Sequence, residues 1–166
     1  MPSESLEELN TAEPERAERE LLACCAARRW ADELIVRRPY HDLGTLRRVS
    51  DAVFHELAWE DIEEALAAHP RIGERASGDG REAAWSREEQ SAAAGGGEAE
   101  LRTANEEYER RFGRVFLIAA AGRSREEILG ELRNRLGNDE ETERAVVREE
   151  LRRIVNLRLG KLVGAS

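Results

Sequence analysis

Three residues stand out for their chemistry before any element is assigned: His69, Glu89 and Arg158. An imidazole beside a carboxylate can move a proton near neutral pH, and a guanidinium can hold an anion in a fixed orientation. His69 precedes Pro70 and shares a helical face with Ile62 and Leu66, in the last turn of an apolar-periodic stretch. A helix C-terminus favours the protonated imidazole and moves its pKa toward the working range of a general acid or base. The plainer reading is a histidine that caps the last carbonyls. His41 and His55 give no HxxxH spacing with His69, so a zinc site has little support.

Glu89 belongs to Trp85-Ser86-Arg87-Glu88-Glu89-Gln90. Ser86 and Glu89 match a capping box, in which the carboxylate reaches back to the N-cap amide. Ser124 and Glu127 repeat the pattern at another helix start, so capping alone would account for it. The context differs, because the first box follows a long loop that begins at His69-Pro70, and a helix N-terminus binds anions readily. Arg158 is singled out by periodicity. Val147, Leu151, Ile154 and Leu162 fall on one helical face and Arg158 lies mid-stripe, whereas Arg148, Arg152 and Arg153 lie off its centre. The stripe predicts burial, and a buried guanidinium needs a carboxylate or an anionic ligand. A core ion pair or a snorkelling arginine would serve as well. By themselves these features describe an acid/base site with an anion clamp and no named substrate.

The elements that must position these residues are helices. Pro14 suits the first position of a helix over 14–27, after a short turn around Leu6 and Leu9. A helix over 28–37 stops before Pro39. Asp42 caps 43–58, with Leu46, Val49, Val53 and Leu57 inward, and 60–68 buries Ile62, Ala65 and Leu66. Residues 70–85 hold little that could form a core. Ser86 opens a short helix closed by Gly95-Gly96-Gly97, and 98–112 carries Leu101, Ala104, Tyr108 and Phe112. The apolar 112–122 run reads as a buried extended segment or short strand. Ser124 caps 125–136, and Asp139 starts a final helix to about 162. The fold expected is an all-α, single-domain bundle of about seven to nine helices over residues 1–166.

Composition narrows the function classes. The net charge is −9, and no basic patch speaks for nucleic acid. Of 26 basic residues only Lys161 is a lysine, which reads as a GC-rich coding bias, so each arginine must be argued from its position. No apolar run approaches the roughly 20 residues of a membrane span. The acidic start MPSESLEELN lacks the parts of a signal peptide, and Gly164-Ala165-Ser166 is no peroxisomal address. Adjacent Cys24 and Cys25 form neither a CxxC pattern nor a favourable disulfide. A cytoplasmic protein is expected.

Taken together, AHPRIG at 68–73, WSREEQ at 85–90 and NLRL at 156–159 resemble the OHCU decarboxylases, which act on 2-oxo-4-hydroxy-4-carboxy-5-ureidoimidazoline in urate breakdown. The resemblance covers nearly the whole chain, including CCAARRWADELIVRRPY at 24–40, FGRVFLIAAAGRS at 112–124 and RLGNDEETE at 135–143. Each motif alone is weak, and their joint spacing is specific. The chain departs at Arg71-Ile72 and in a shortened, glycine-rich stretch after Gln90. The resemblance implies His69 as the proton-transfer residue, with Glu89 and Arg158 as its catalytic partners. It implies substrate contacts from Pro70, Ser86, Arg87, Glu88 and Gln90, and from backbone of Phe116, Leu117, Ile118, Ala119 and Ala120. It also implies a small anionic ureide as substrate, no cofactor or metal, and a homodimer. Two other readings compete: a non-catalytic helical protein that binds a partner, and a different cofactor-free acid/base enzyme acting on ureides.

Overall fold

The helix-forming pattern is realised in a computed structural model that describes residues 4–70, Trp85 and 98–164. The described helices are α1 (Glu4–Thr11), α2 (Pro14–Cys24), α3 (Arg28–Val36), α4 (Leu43–Glu56), α5 (Trp59–Leu66), α6 (Glu98–Phe112), α7 (Arg125–Arg135) and α8 (Glu140–Leu162). The architecture is all-α, with no strand among the described residues. None of these helices is long and apolar enough to cross a membrane. The chain divides into two compact units, one of Met1–Ala68 with Arg152–Ser166 and one of His69–Leu151.

In the first unit the local signals act as expected. Pro14 begins α2, and the Asp42 carboxylate accepts the Thr45 amide at 2.7 Å to start α4. On α4 the buried residues are Leu46, Ser50, Val53 and Phe54, with Val49 only half-buried. Ser50 is inward because its hydroxyl takes the indole N–H of the fully buried Trp30 at 2.9 Å. The α2 and α4 ends come earlier than expected, at Cys24 and Glu56.

The region of Leu6 and Leu9 is a helix rather than a turn. Three-residue spacing puts both leucines on one face, where each is buried. Arg38 completes the end of α1, donating to the carbonyls of Leu9 at 2.9 Å and Ala12 at 2.7 Å.

The second unit builds its core from α6, α7 and the segment between them. Leu101, Ala104, Tyr108, Phe116, Ile118, Ala120, Ile128, Leu129 and Leu132 form one buried cluster. Gly113, at φ 71°, ends α6 in a conformation that disfavours other residues, and its amide reaches the Glu109 carbonyl at 2.8 Å. Ser124 and Glu127 form the expected capping box, with both bonds at 3.1 Å. The 115–120 stretch is buried over most of its length, yet it is not a strand. A strand needs a neighbouring backbone to complete its ladder. Here long side chains supply the partners instead.

Candidate functional site

Those partners come from α7 and α8, within the His69–Leu151 unit. Arg135, the last residue of α7, donates from Nη1 to the Leu117 carbonyl at 2.7 Å. Glu150 on α8 accepts the Ala119 amide at 3.2 Å and lies 3.7 Å from Arg123. A backbone amide donates one hydrogen bond well, so the Ala119 N–H is committed to the protein. The segment is thereby held from two sides.

Arg135 is held in turn by a buried network. Its guanidinium forks onto Glu143, with Nε at 3.0 Å and Nη2 at 2.5 Å from Oε2. Asn138 donates to the other carboxylate oxygen at 3.1 Å, and the Tyr108 hydroxyl donates to Oε2. Glu143 is 0% exposed and Arg135 is 1% exposed. Arg135 also lies 4.5 Å from the Phe116 ring centroid. Burial pushes the Tyr108 phenol well above its ordinary range, and the Glu143 carboxylate that accepts its hydrogen bond adds to the shift.

The predicted site residues fall differently. Arg158 is 1% exposed on α8, on a face with buried Val147, Leu151, Ile154 and Leu162, as the periodicity predicts. His69 and Pro70 are half-buried. Helix α5 ends at Leu66, and the Ala67 and Ala68 amides close a turn onto Glu63 and Ala65, so His69 stands beyond the last helical turn. The shortening has a local cause: the residue before a proline avoids the α region, and the turn begins two residues ahead of it. Phe116, Leu117, Ile118 and Ala120 are buried and Ala119 is half-buried. Ser86, Arg87, Glu88, Glu89 and Gln90 lie outside the described residues, as do the helix expected to open at Ser86 and most of the 70–85 loop. His69 and the 116–120 segment belong to one unit and Arg158 to the other. Among the described residues no three His, Cys, Asp or Glu side chains gather to hold a metal ion.

Sequence reasoning missed Arg135, Glu143 and Glu150. Arg135 and Glu143 begin and end the RLGNDEETE stretch, but the many arginines and glutamates along the chain hide which pair is buried. Tyr108 was expected inward, without its hydrogen bond.

With this geometry in hand, known proteins give a consistent comparison. A family model described as OHCU decarboxylase matches residues 10–160, which spans parts of both units. The 2-oxo-4-hydroxy-4-carboxy-5-ureidoimidazoline decarboxylase of Amia calva is 36% identical over 131 residues, covering 76% of this chain and 75% of that protein. The uric acid degradation bifunctional protein TTL of Arabidopsis thaliana is 31% identical over 154 residues. That match covers 89% of this chain, which spans 48% of the Arabidopsis protein's length. A crystal structure of OHCU decarboxylase in the presence of (S)-allantoin is similar with a TM-score of 0.77 at 26% identity, covering 92% of this chain and 99% of that one. A crystal structure of (S)-allantoin synthase is similar in fold, with a TM-score of 0.69 at 16% identity, covering 95% of this chain and 54% of that one.

Proposed function

Since the chain belongs to the OHCU decarboxylase family, we propose that it decarboxylates 2-oxo-4-hydroxy-4-carboxy-5-ureidoimidazoline to (S)-allantoin in urate degradation. The observation that carries this reading is the family match over residues 10–160. The burial of Arg158 supports the anion-anchoring part.

The substrate carries its own electron sink. Its carboxylate sits on a carbon next to a C=N group. When the C–C bond to the carboxylate breaks, CO2 leaves and the electron pair moves toward that group. The nitrogen of that group takes up a proton, and the neighbouring hydroxyl gives up its own to become a carbonyl. One proton is delivered to one face of the ring carbon, for a net uptake of one proton. The task left to the protein is orientation and proton transfer, and no cofactor is required.

In this reading His69, held or polarised by Glu89, handles the hydroxyl and the delivered proton. Arg158 binds the substrate carboxylate with the directionality of a guanidinium fork. The amides from Ser86 to Gln90 take other oxygens, Pro70 shapes the wall beside His69, and backbone of the 116–120 segment meets the ureide. The Arg135 and Glu150 anchors support this last role, because they order the segment before substrate arrives. The same reading expects a small anionic ureide as ligand, a homodimer and a cytoplasmic location. Size-exclusion chromatography with light scattering tests the dimer.

The activity is tested by supplying urate, urate oxidase and hydroxyisourate hydrolase, then adding this protein and following optical rotation. Enantiopure allantoin should form faster than the spontaneous racemic background. His69→Asn should keep the helical circular-dichroism spectrum and lose most of the acceleration, since general acid–base catalysis contributes about 10²- to 10⁴-fold. No acceleration by the wild-type protein would refute the assignment.

A further inference from the structure

Helix α8 is gripped by α4 just before Arg158, within the Met1–Ala68 and Arg152–Ser166 unit. Arg47 on α4 donates from Nε at 3.0 Å and Nη2 at 2.7 Å to the Asn156 carbonyl. Asp51, one turn further along α4, accepts from Asn156 Nδ2 at 3.2 Å and from Arg152 Nη1 at 3.3 Å. Arg47 and Asp51 are four residues apart on one helix, and Arg152, Asn156 and Gly160 recur every fourth residue on the other. Two i,i+4 rows therefore meet as a polar ladder.

Gly160 explains how a guanidinium reaches a carbonyl in mid-helix. A Cβ built at Gly160 would lie 2.5 Å from Arg47 Nη2. Arg47 would then have to swing away and release the Asn156 carbonyl. Glycine inside a helix is unfavourable by about 1 kcal/mol relative to alanine. The cost is compatible with a requirement for close approach, and Gly160 is buried where Arg47 crosses.

We propose that Arg47, admitted by Gly160, is a positioning residue that sets the rotation and axial register of α8 and so the placement of Arg158. A slip of one residue along a helix turns every side chain by about 100°. Such a slip would break both the Arg47 fork and the Asp51 contacts. Arg158 lies two residues beyond Asn156 on the same rigid helix, so the ladder fixes the direction from which its guanidinium meets an anion. The role toward substrate rests on the reading of Arg158 as the carboxylate anchor.

The test is a double-mutant cycle of Arg47→Ala and Gly160→Ala, read by thermal midpoint and by steady-state kinetics on freshly generated substrate. In the Arg47→Ala background, Gly160→Ala should raise the midpoint by about 2–4 °C, as an unobstructed alanine does in a helix. In the wild-type background it should bring no such gain. Each single variant should raise KM roughly tenfold while kcat changes by less than about twofold, because an anchor that binds substrate and transition state alike acts mainly on KM. A merely structural role would lower the active fraction and leave KM alone. Arg48→Ala, at an exposed position on the same helix, should leave both constants unchanged.

Equal midpoint shifts in both backgrounds would overturn the contact between Arg47 and Gly160. Coupled midpoints with unchanged KM would overturn the link to Arg158. Absence of turnover by the wild-type protein would sink the functional reading and the role toward Arg158, while the midpoint cycle alone would still decide the register device.

Discussion

Replacing Glu143 with glutamine changes one atom and removes one charge in a place that water cannot reach. The wild-type carboxylate is fully buried and takes the Arg135 fork, an Asn138 amide and the Tyr108 hydroxyl. In Glu143→Gln one acceptor oxygen becomes an NH2 group that faces donors, and the Arg135 guanidinium loses its counter-charge at 1% exposure. Removing one partner of a buried pair costs about 3–5 kcal/mol. That is a large part of the roughly 5–15 kcal/mol that holds a domain folded. At about 2–4 °C per kcal/mol for a chain of this size, the midpoint should fall by about 10 °C. Urea unfolding followed at 222 nm measures the change directly, with the m-value unaltered if the two end states keep their extent. Glu33→Gln is the matched control. Its carboxylate lies 3.1 Å from Arg37, but both side chains are more than 40% exposed, so the loss should stay below about 0.5 kcal/mol. A Glu143→Gln loss below about 1 kcal/mol, the range of exposed pairs, would refute the view that this network is a dry anchor.

Other expectations follow from the same contacts. Ser50→Ala leaves the buried Trp30 indole N–H without its acceptor and should cost about 1–3 kcal/mol in the same urea assay. Ser124→Ala removes one bond of the α7 capping box and should cost about 1 kcal/mol. Both tyrosines of the chain should resist ionisation: burial raises Tyr40 to about 12 and pushes Tyr108 higher still. In each case the neutral phenol is favoured in the folded chain, so unfolded tyrosines release their protons first. Stability is then full below about pH 10 and is lost as pH rises through the folded values. Absorbance at 295 nm should show almost no phenolate at pH 10.5 in the folded protein. Two groups titrating near pH 10 while the helical signal persists would contradict this.

What sequence reasoning could reach depended on how many turns carried each signal. The stripe of α8 extends over a 23-residue helix, so the apolar pattern alone places Arg158 among Leu151, Ile154 and Leu162. The caps at Asp42 and Ser124 were equally readable, because each is a local exchange between a side chain and an amide three residues on. The eight residues of α1 are too few for periodicity to speak, and a short helix depends on tertiary contacts that its own residues do not announce. Those contacts include Arg38, more than 25 residues away. The 112–122 run was apolar and β-branched enough to suggest a strand, but what decides its conformation is the reach of Arg135 and Glu150 to its backbone. Arg47 and Asn156 lie 109 residues apart, and no local pattern connects them. The spacing of His69 and Glu89 pointed to a family only in combination with the other motifs, since each residue had a capping explanation.

The arginine-rich composition reads as coding bias when counted, yet at particular positions lysine could not replace the guanidinium. Arg135 shows why. Its Nε and Nη2 edge faces Glu143, while Nη1 serves the Leu117 carbonyl. A planar group with five donors can satisfy a carboxylate and a carbonyl on different edges at once. The ammonium of lysine is a single centre and cannot occupy both edges. Arg135→Lys therefore keeps the charge opposite Glu143 but leaves either part of the carboxylate or the Leu117 carbonyl without a donor. An unmet buried polar group costs about 1–3 kcal/mol, and the lost ring contact with Phe116 adds to it, so a total loss of about 2 kcal/mol or more is expected. Arg37→Lys, on an exposed i,i+4 pair, should change stability by less than about 0.5 kcal/mol. If the two substitutions proved equally mild in urea, charge alone would explain Arg135, and the orientation of the 116–120 backbone would have to come from elsewhere.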